Sequence, residues 1–148
     1  LFPMDSAFKR RWDWKYVPIE YGADKDSYNF TITIGDKVYR WVDFLAVVND
    51  KIYNATNSED KQMGNFFIKK SIDADTFVNK VMFYLWNEVC KEEYGTNRNF
   101  FRREKDGKEV EFKFTELFGY NRPTILKEFM TSLGVEPIGK KSEEPAAE

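Results

Sequence analysis

The sequence predicts an α+β domain that is predominantly helical, on three observations. Apolar residues recur at helical spacing in separate stretches near residues 41–52, 77–89 and 125–133. A β-branched and aromatic run ends at Gly35-Asp36 and resumes at Lys37, which is the pattern of a small hairpin. The 148 residues, 42% of them hydrophobic, suit one core of ordinary domain size.

The elements follow in order. Asp5 or Ser6 is a fair N-cap for a short helix through Ala7-Phe8-Lys9-Arg10-Arg11. Trp12 to Val17 alternates large apolar with charged residues, a strand signal that stops at Pro18. Gly22 to Asp26 is a polar loop. The hairpin pairs Tyr28–Ile34 with Lys37–Arg40 across Gly35-Asp36. Trp41, Phe44, Leu45, Val48 and Ile52 fall at i, i+3, i+4, i+7 and i+11, an amphipathic helix within Arg40 to Tyr53.

Asn54 to Lys61 is polar and turn-like, and Gln62 to Ile68 is a short apolar stretch interrupted by Gly64. Ser71 or Asp73 caps the next helix, expected from Ala74 to Tyr94. Its stripe of Phe77, Val78, Val81, Met82, Leu85, Trp86 and Val89 is broad enough to predict burial on most sides. Gly95 stands where a left-handed cap is common. Thr96 to Lys108 is a charged loop with an Asp106-Gly107 turn, Glu109 to Phe114 alternates as a short strand, and Thr115 to Tyr120 suits a helical turn. Pro123 and Gly134 bracket a last helix, Pro123 to Leu133. Residues 136–148 have the Pro, Ala, Lys and Glu composition of a solvated, disordered tail.

Composition excludes several chemistries within this chain. With no His there is no Ser-His-Asp triad, no Cys-His nucleophile, no His-ligated metal and no imidazole acid–base. The single Cys90 allows neither an intrachain disulfide nor a Cys-based zinc site, and it is expected to be a buried small hydrophobe. No metal site is expected. A net charge of −2 argues against a protein that coats nucleic acid, while leaving room for a local basic face. No stretch reaches the length of a membrane span and no leader is visible, so a cytoplasmic protein without a membrane partner is expected. The opening Leu-Phe-Pro, without an initiator Met, leads to the expectation that the chain is a piece of a longer one.

Several motifs bear on chemistry. Gly134 to Lys141 nearly matches the phosphate-binding pattern G-x-x-x-x-G-K-[ST], but Lys141 stands where the hydroxyl belongs and a helix precedes it, so no nucleotide cradle is expected. Asn29-Phe-Thr31 and Asn54-Ala-Thr56 are chance matches to glycosylation acceptors. Arg98 to Lys108 interleaves basic and aromatic residues. Arg98, Arg102 and Arg103 are candidates for phosphate contact with Phe100 or Phe101 stacking on a base, against a plainer reading as a solvated loop pinned by its two Phe residues. Lys9-Arg10-Arg11 reads either as a solvated helix end or as guanidinium groups presented to a neighbour's phosphate.

Pro3-Met4-Asp5-Ser6-Ala7-Phe8-Lys9-Arg10-Arg11-Trp12-Asp13-Trp14 resembles the D-x-A-[LF]-x-R-R-[FW] segment of AAA+ ATPases of the McrB type, motor subunits of modification-dependent restriction systems. Glu59-Asp60-Lys61-Gln62-Met63-Gly64-Asn65-Phe66-Phe67-Ile68 resembles the E-D-K-Q-[IL]-G-x-[FY]-F stretch of their lid, and Phe77 to Val89 resembles the helix after it. The three blocks come in the family's order and cover residues 1–118. The Walker and sensor-1 motifs of that family are missing from the chain.

The resemblance implies an AAA+ C-terminal, lid-like helical domain with a small β-hairpin: residues 1–21 ending the core domain, 22–135 forming the lid, and 136–148 a tail. It implies that Arg11 first, and Arg10 second, act as an arginine finger toward the nucleotide of a neighbouring subunit, with Lys61 near the nucleotide. It further implies ATP or GTP with Mg in a full-length parent and none bound by this piece alone. Neighbouring subunits of a homo-oligomeric ring, a nuclease subunit and DNA are the implied partners. The alternatives are a non-enzymatic nucleic-acid- or protein-binding module using residues 98–108, and a plain structural or interaction domain.

Overall fold

The computed structural model describes residues 13, 15–90 and 100–140. Its regular elements are β1 (Thr31–Ile34), β2 (Lys37–Arg40), α1 (Trp41–Thr56), β3 (Ile72–Asp73), α2 (74–90), β4 (Arg102–Lys105), β5 (Lys108–Glu111), α3 (Arg122–Leu133) and β6 (Gly139–Lys140). The α+β class stands. Four strands form one sheet in the order β3-β1-β2-β6, and β4 and β5 form a separate ribbon.

The hairpin forms where its turn residues allow. Gly35 has φ +58°, which favours glycine, and the strands pair antiparallel with Ile32 opposite Tyr39. Strand alternation puts Ile32, Ile34 and Tyr39 into the core. β2 passes directly into α1, whose Trp41, Phe44, Leu45, Val48 and Ile52 lie buried as their spacing requires. Asn57 closes α1 in the left-handed conformation at φ 51°, its N–H bonded to the Tyr53 carbonyl.

β3 adds to β1 in parallel, then Asp73 caps α2 by accepting from the Thr76 N–H at 2.8 Å. After one α-turn, α2 winds wider, as π-helix over Phe77–Met82 and Leu85–Cys90. Phe77, Val78, Val81, Met82, Leu85 and Val89 are buried, while Trp86 of the expected stripe is only partly buried and Phe83 beside it is exposed, so burial does not extend to most sides. The expected extension to Tyr94 and the Gly95 cap lie outside the described residues. α3 matches its bracket. Gly134 takes φ 76°, and the Gly134 and Val135 N–H groups bond to Thr131 and Met130 in a Schellman closure.

Three expectations need correction. Of the strand expected over Trp12 to Val17, Trp12 and Trp14 lie outside the described residues, and residues 15–17 form none and stand exposed, because alternation alone does not supply a strand to pair with. The charged loop expected up to Lys108 contains β4, which pairs with β5 across Asp106 (φ 52°) and Gly107 (φ 74°). Two positive φ values match the twist of a tight hairpin turn. The tail is ordered at its start: the Ile138 N–H donates to the Val38 carbonyl at 2.8 Å, and β6 pairs with β2. Among the described residues no helix is long and apolar enough to cross a membrane.

Candidate functional site

The structure converges on the loop from Glu59 to Ile68, which is clamped to three parts of the molecule. Asn49 is a polar residue on the buried stripe of α1, and its amide makes the first clamp. Its Nδ2 donates to the Met63 carbonyl at 2.8 Å, and its Oδ1 accepts from the Met63 N–H at 2.8 Å. Gln62 Nε2 adds a bond to the Asn49 carbonyl at 3.0 Å. A buried amide with both ends satisfied fixes the loop at Met63, between the short 3-10 turns Glu59–Lys61 and Asn65–Phe67.

The second clamp is to α2. Lys61 Nζ donates to the Glu88 carbonyl at 3.2 Å, and the Tyr84 hydroxyl donates to the Lys61 carbonyl at 2.9 Å. Burial pushes the Tyr84 hydroxyl above the ordinary tyrosine range, with Lys61 opposing that shift, so it remains a proton donor. Phe67 packs on Tyr84 with ring centroids 5.1 Å apart.

Asn65 makes the third clamp. Its Oδ1 accepts from the Glu20 N–H at 2.8 Å and its Nδ2 donates to the Glu20 carbonyl, so one side chain mimics a strand partner for the 15–21 segment. Nδ2 also reaches the buried Ser27 Oγ at 3.0 Å, while the Asn65 carbonyl accepts from Trp41 Nε1 at 3.0 Å. Between the 17–27 segment and the 64–67 turn lies an open cleft of about 560 Å³. Val17 is 75% exposed and Phe66 61% exposed along it.

The sequence candidates fall in different places. Arg10, Arg11 and Arg98 lie outside the described residues. Lys61 serves the loop clamp. Arg103 pairs with Glu128 at 3.0 Å, and Arg102 lies 3.5 Å from Glu109 and 3.8 Å from Glu111. Phe100 and Phe101 are buried, and Phe101 packs against Phe112 and Phe129. This is the geometry of the plainer reading, a segment pinned by its two Phe residues. Cys90 is partly buried, with its thiol pushed up to about 12 by burial. Among the described residues no group of three or more Cys, Asp or Glu is arranged to hold a metal ion.

A second surface feature was missed in the sequence. Trp86 and Phe114 stack 4.9 Å apart with 9° between their planes, and Phe83 and Phe118 extend this pair into an aromatic ridge. The clamps were missed for a different reason: Asn49 and Asn65 act across the fold. The one available signal for Asn49 was a polar residue at an apolar position, between Leu45 and Ile52 on the same helical stripe.

No family model matches the chain, and no solved structure matches it. The chain is 35% identical over 96 residues to the type II restriction enzyme BsuMI component YdiS of Bacillus subtilis (strain 168), covering 62% of this chain. It spans 28% of that protein's length. This finding corrects the resemblance to McrB-type AAA+ ATPases. The match is to a type II restriction enzyme component, and no family model places the chain among AAA+ proteins. The lid identity and the arginine-finger role of Arg10 and Arg11 came only with that resemblance, and they lose their support with it.

Proposed function

We propose that this chain is a domain of a restriction system and works on DNA as one part of a larger assembly. The observation that carries this reading is the 35% identity over 96 residues to YdiS. The fold supports it in a general way. The Glu59 to Ile68 loop locks α1, α2 and the 15–27 segment into one body, and that body presents a cleft and an aromatic ridge to its surroundings. Rimmed apolar surface of this kind suits contact with other subunits. A nuclease subunit, further copies of the chain and DNA are the partners of the proposed assembly.

The test is biochemical. The restriction assembly is purified from its host with and without this chain and given unmodified plasmid DNA with Mg. Cleavage is expected from the complete assembly and is expected to fall away without the chain. The chain alone is expected to leave both DNA and added ATP or GTP intact. Full cleavage by an assembly that lacks the chain contradicts the proposal.

A further inference from the structure

We infer that the cleft between the 17–27 segment and the 64–67 turn is a docking site for an arginine- or lysine-bearing segment of a partner protein. Three observations carry this. First, the cleft is built in advance of any ligand. Its two sides are held together by the Asn65 amide, which bonds the Glu20 backbone in both directions and also reaches Ser27. A preformed site spares a ligand the cost of ordering its walls.

Second, large apolar groups stand open there. Val17 and Pro18 are exposed on one side and Phe66 on the other, while Ile19 is tied into the core. The face of an exposed aromatic ring attracts a cation held over it. Phe30 meets Phe66 edge to face at 6.3 Å, which helps hold the Phe66 ring in place.

Third, the charge is one-sided: among the described residues that line the cleft, Glu20, Asp24 and Asp26 stand against one cation, Lys25. Lys25 is engaged by Glu20 at 3.1 Å and Asp24 at 3.4 Å. Hydrogen bonding to Glu20 first, and then to Asp24, raises its ammonium above the usual lysine range. Asp26 is exposed and makes no ion pair among the described residues. An apolar, ring-bearing cleft with a surplus of carboxylate is complementary to the long alkyl stem and cationic head of arginine or lysine.

The test uses the whole chain labelled with nitrogen-15 and a capped peptide, acetyl-Gly-Leu-Arg-Leu-Gly-amide, titrated at low salt. The control peptide carries citrulline in place of arginine, which keeps the shape and removes the charge. Amide shifts are expected at Glu20, Asp26, Asn65 and Phe66 with the arginine peptide, and much smaller ones with citrulline. Asp26→Asn is expected to weaken binding about two- to fivefold, the range for an exposed ion pair. Gly64 has φ −78° and open space where a Cβ would stand, so Gly64→Leu is expected to fold normally and to obstruct the cleft. Unchanged amide positions elsewhere verify the fold of both variants. Shifts that are absent, spread evenly over the surface, or equal for arginine and citrulline overturn the inference.

Discussion

The most informative perturbation of the fold is Asn49→Ala. The Asn49 side chain is 1% exposed and holds both backbone groups of Met63, which is equally buried. Truncation removes both partners at once. The Met63 N–H and carbonyl are left away from water, and each such orphan costs about 1–3 kcal/mol. Local relaxation admits some solvent, so the lower half of the summed range is expected, about 3 kcal/mol. A chain of this size shifts its melting temperature by about 2–4 °C per kcal/mol, giving a fall of about 6–12 °C. Urea unfolding with a shared m-value measures the free-energy change, and calorimetry the temperature. Asn49→Asp supplies a test of sign. The ionised carboxylate still accepts from the Met63 N–H but offers no donor to the Met63 carbonyl. Burial raises its folded pKa above the unfolded value near 3.9. The variant is therefore expected to be most stable below that unfolded value and to lose stability as pH rises through the folded pKa. A loss below about 0.5 kcal/mol for Asn49→Ala would refute the claim that this amide clamps the loop.

Other predictions test separate parts of the account. Asp73→Ala is expected to cost about 1 kcal/mol at neutral pH by removing the α2 cap. Bonding to Thr76 holds the Asp73 carboxylate below its usual range, so the cap stabilises above the unfolded pKa. Its contribution disappears as pH falls through the lower folded value, and parallel pH-dependent melts of the two proteins show this. Gly134→Ala is expected to destabilise by about 1 kcal/mol, read from denaturant melts. Its Cβ meets nothing within 4 Å, so the cost is conformational, and Gly134→Asn should lose less. The Cys90 thiol, pushed up to about 12, is expected to resist a disulfide reagent at pH 8 in the native chain and to react rapidly in urea.

Elements governed by local rules were legible in the sequence. Gly35 in the hairpin turn, the α1 stripe from Trp41 to Ile52, and the Pro123 and Gly134 bracket around α3 each depend on neighbours a few residues away. β4 was not legible, because Arg102-Arg103-Glu104-Lys105 carries no apolar alternation. It is a strand because β5 pairs with it, because Ser132 Oγ donates to the Arg102 carbonyl at 2.7 Å, and because Arg103 pairs with Glu128. β6 is two residues long and exists only because β2 offers an edge. The basic-aromatic pattern at 98–108 left two readings open for the same reason. Spacing could not show that Phe100 and Phe101 turn into the core while Arg102 and Arg103 face acidic partners.

The candidate site was legible only as a block of residues. Glu59 to Ile68 stood out in the sequence, where the resemblance implied only that Lys61 lies near nucleotide. The described contacts make it a junction: Lys61 reaches α2, Met63 is held by α1, and Asn65 holds the 15–27 segment. Each contact joins residues distant along the chain, so no local pattern encodes it.

The proposed place of this domain in DNA restriction is tested most directly in the cell that carries it. Transformation by unmodified plasmid, relative to the same plasmid bearing the host's own modification, is measured before and after disruption of the gene and again on complementation. The account predicts that unmodified DNA is excluded when the chain is present, enters freely when it is absent, and is excluded again on complementation. Equal exclusion of unmodified DNA with and without the chain would contradict it.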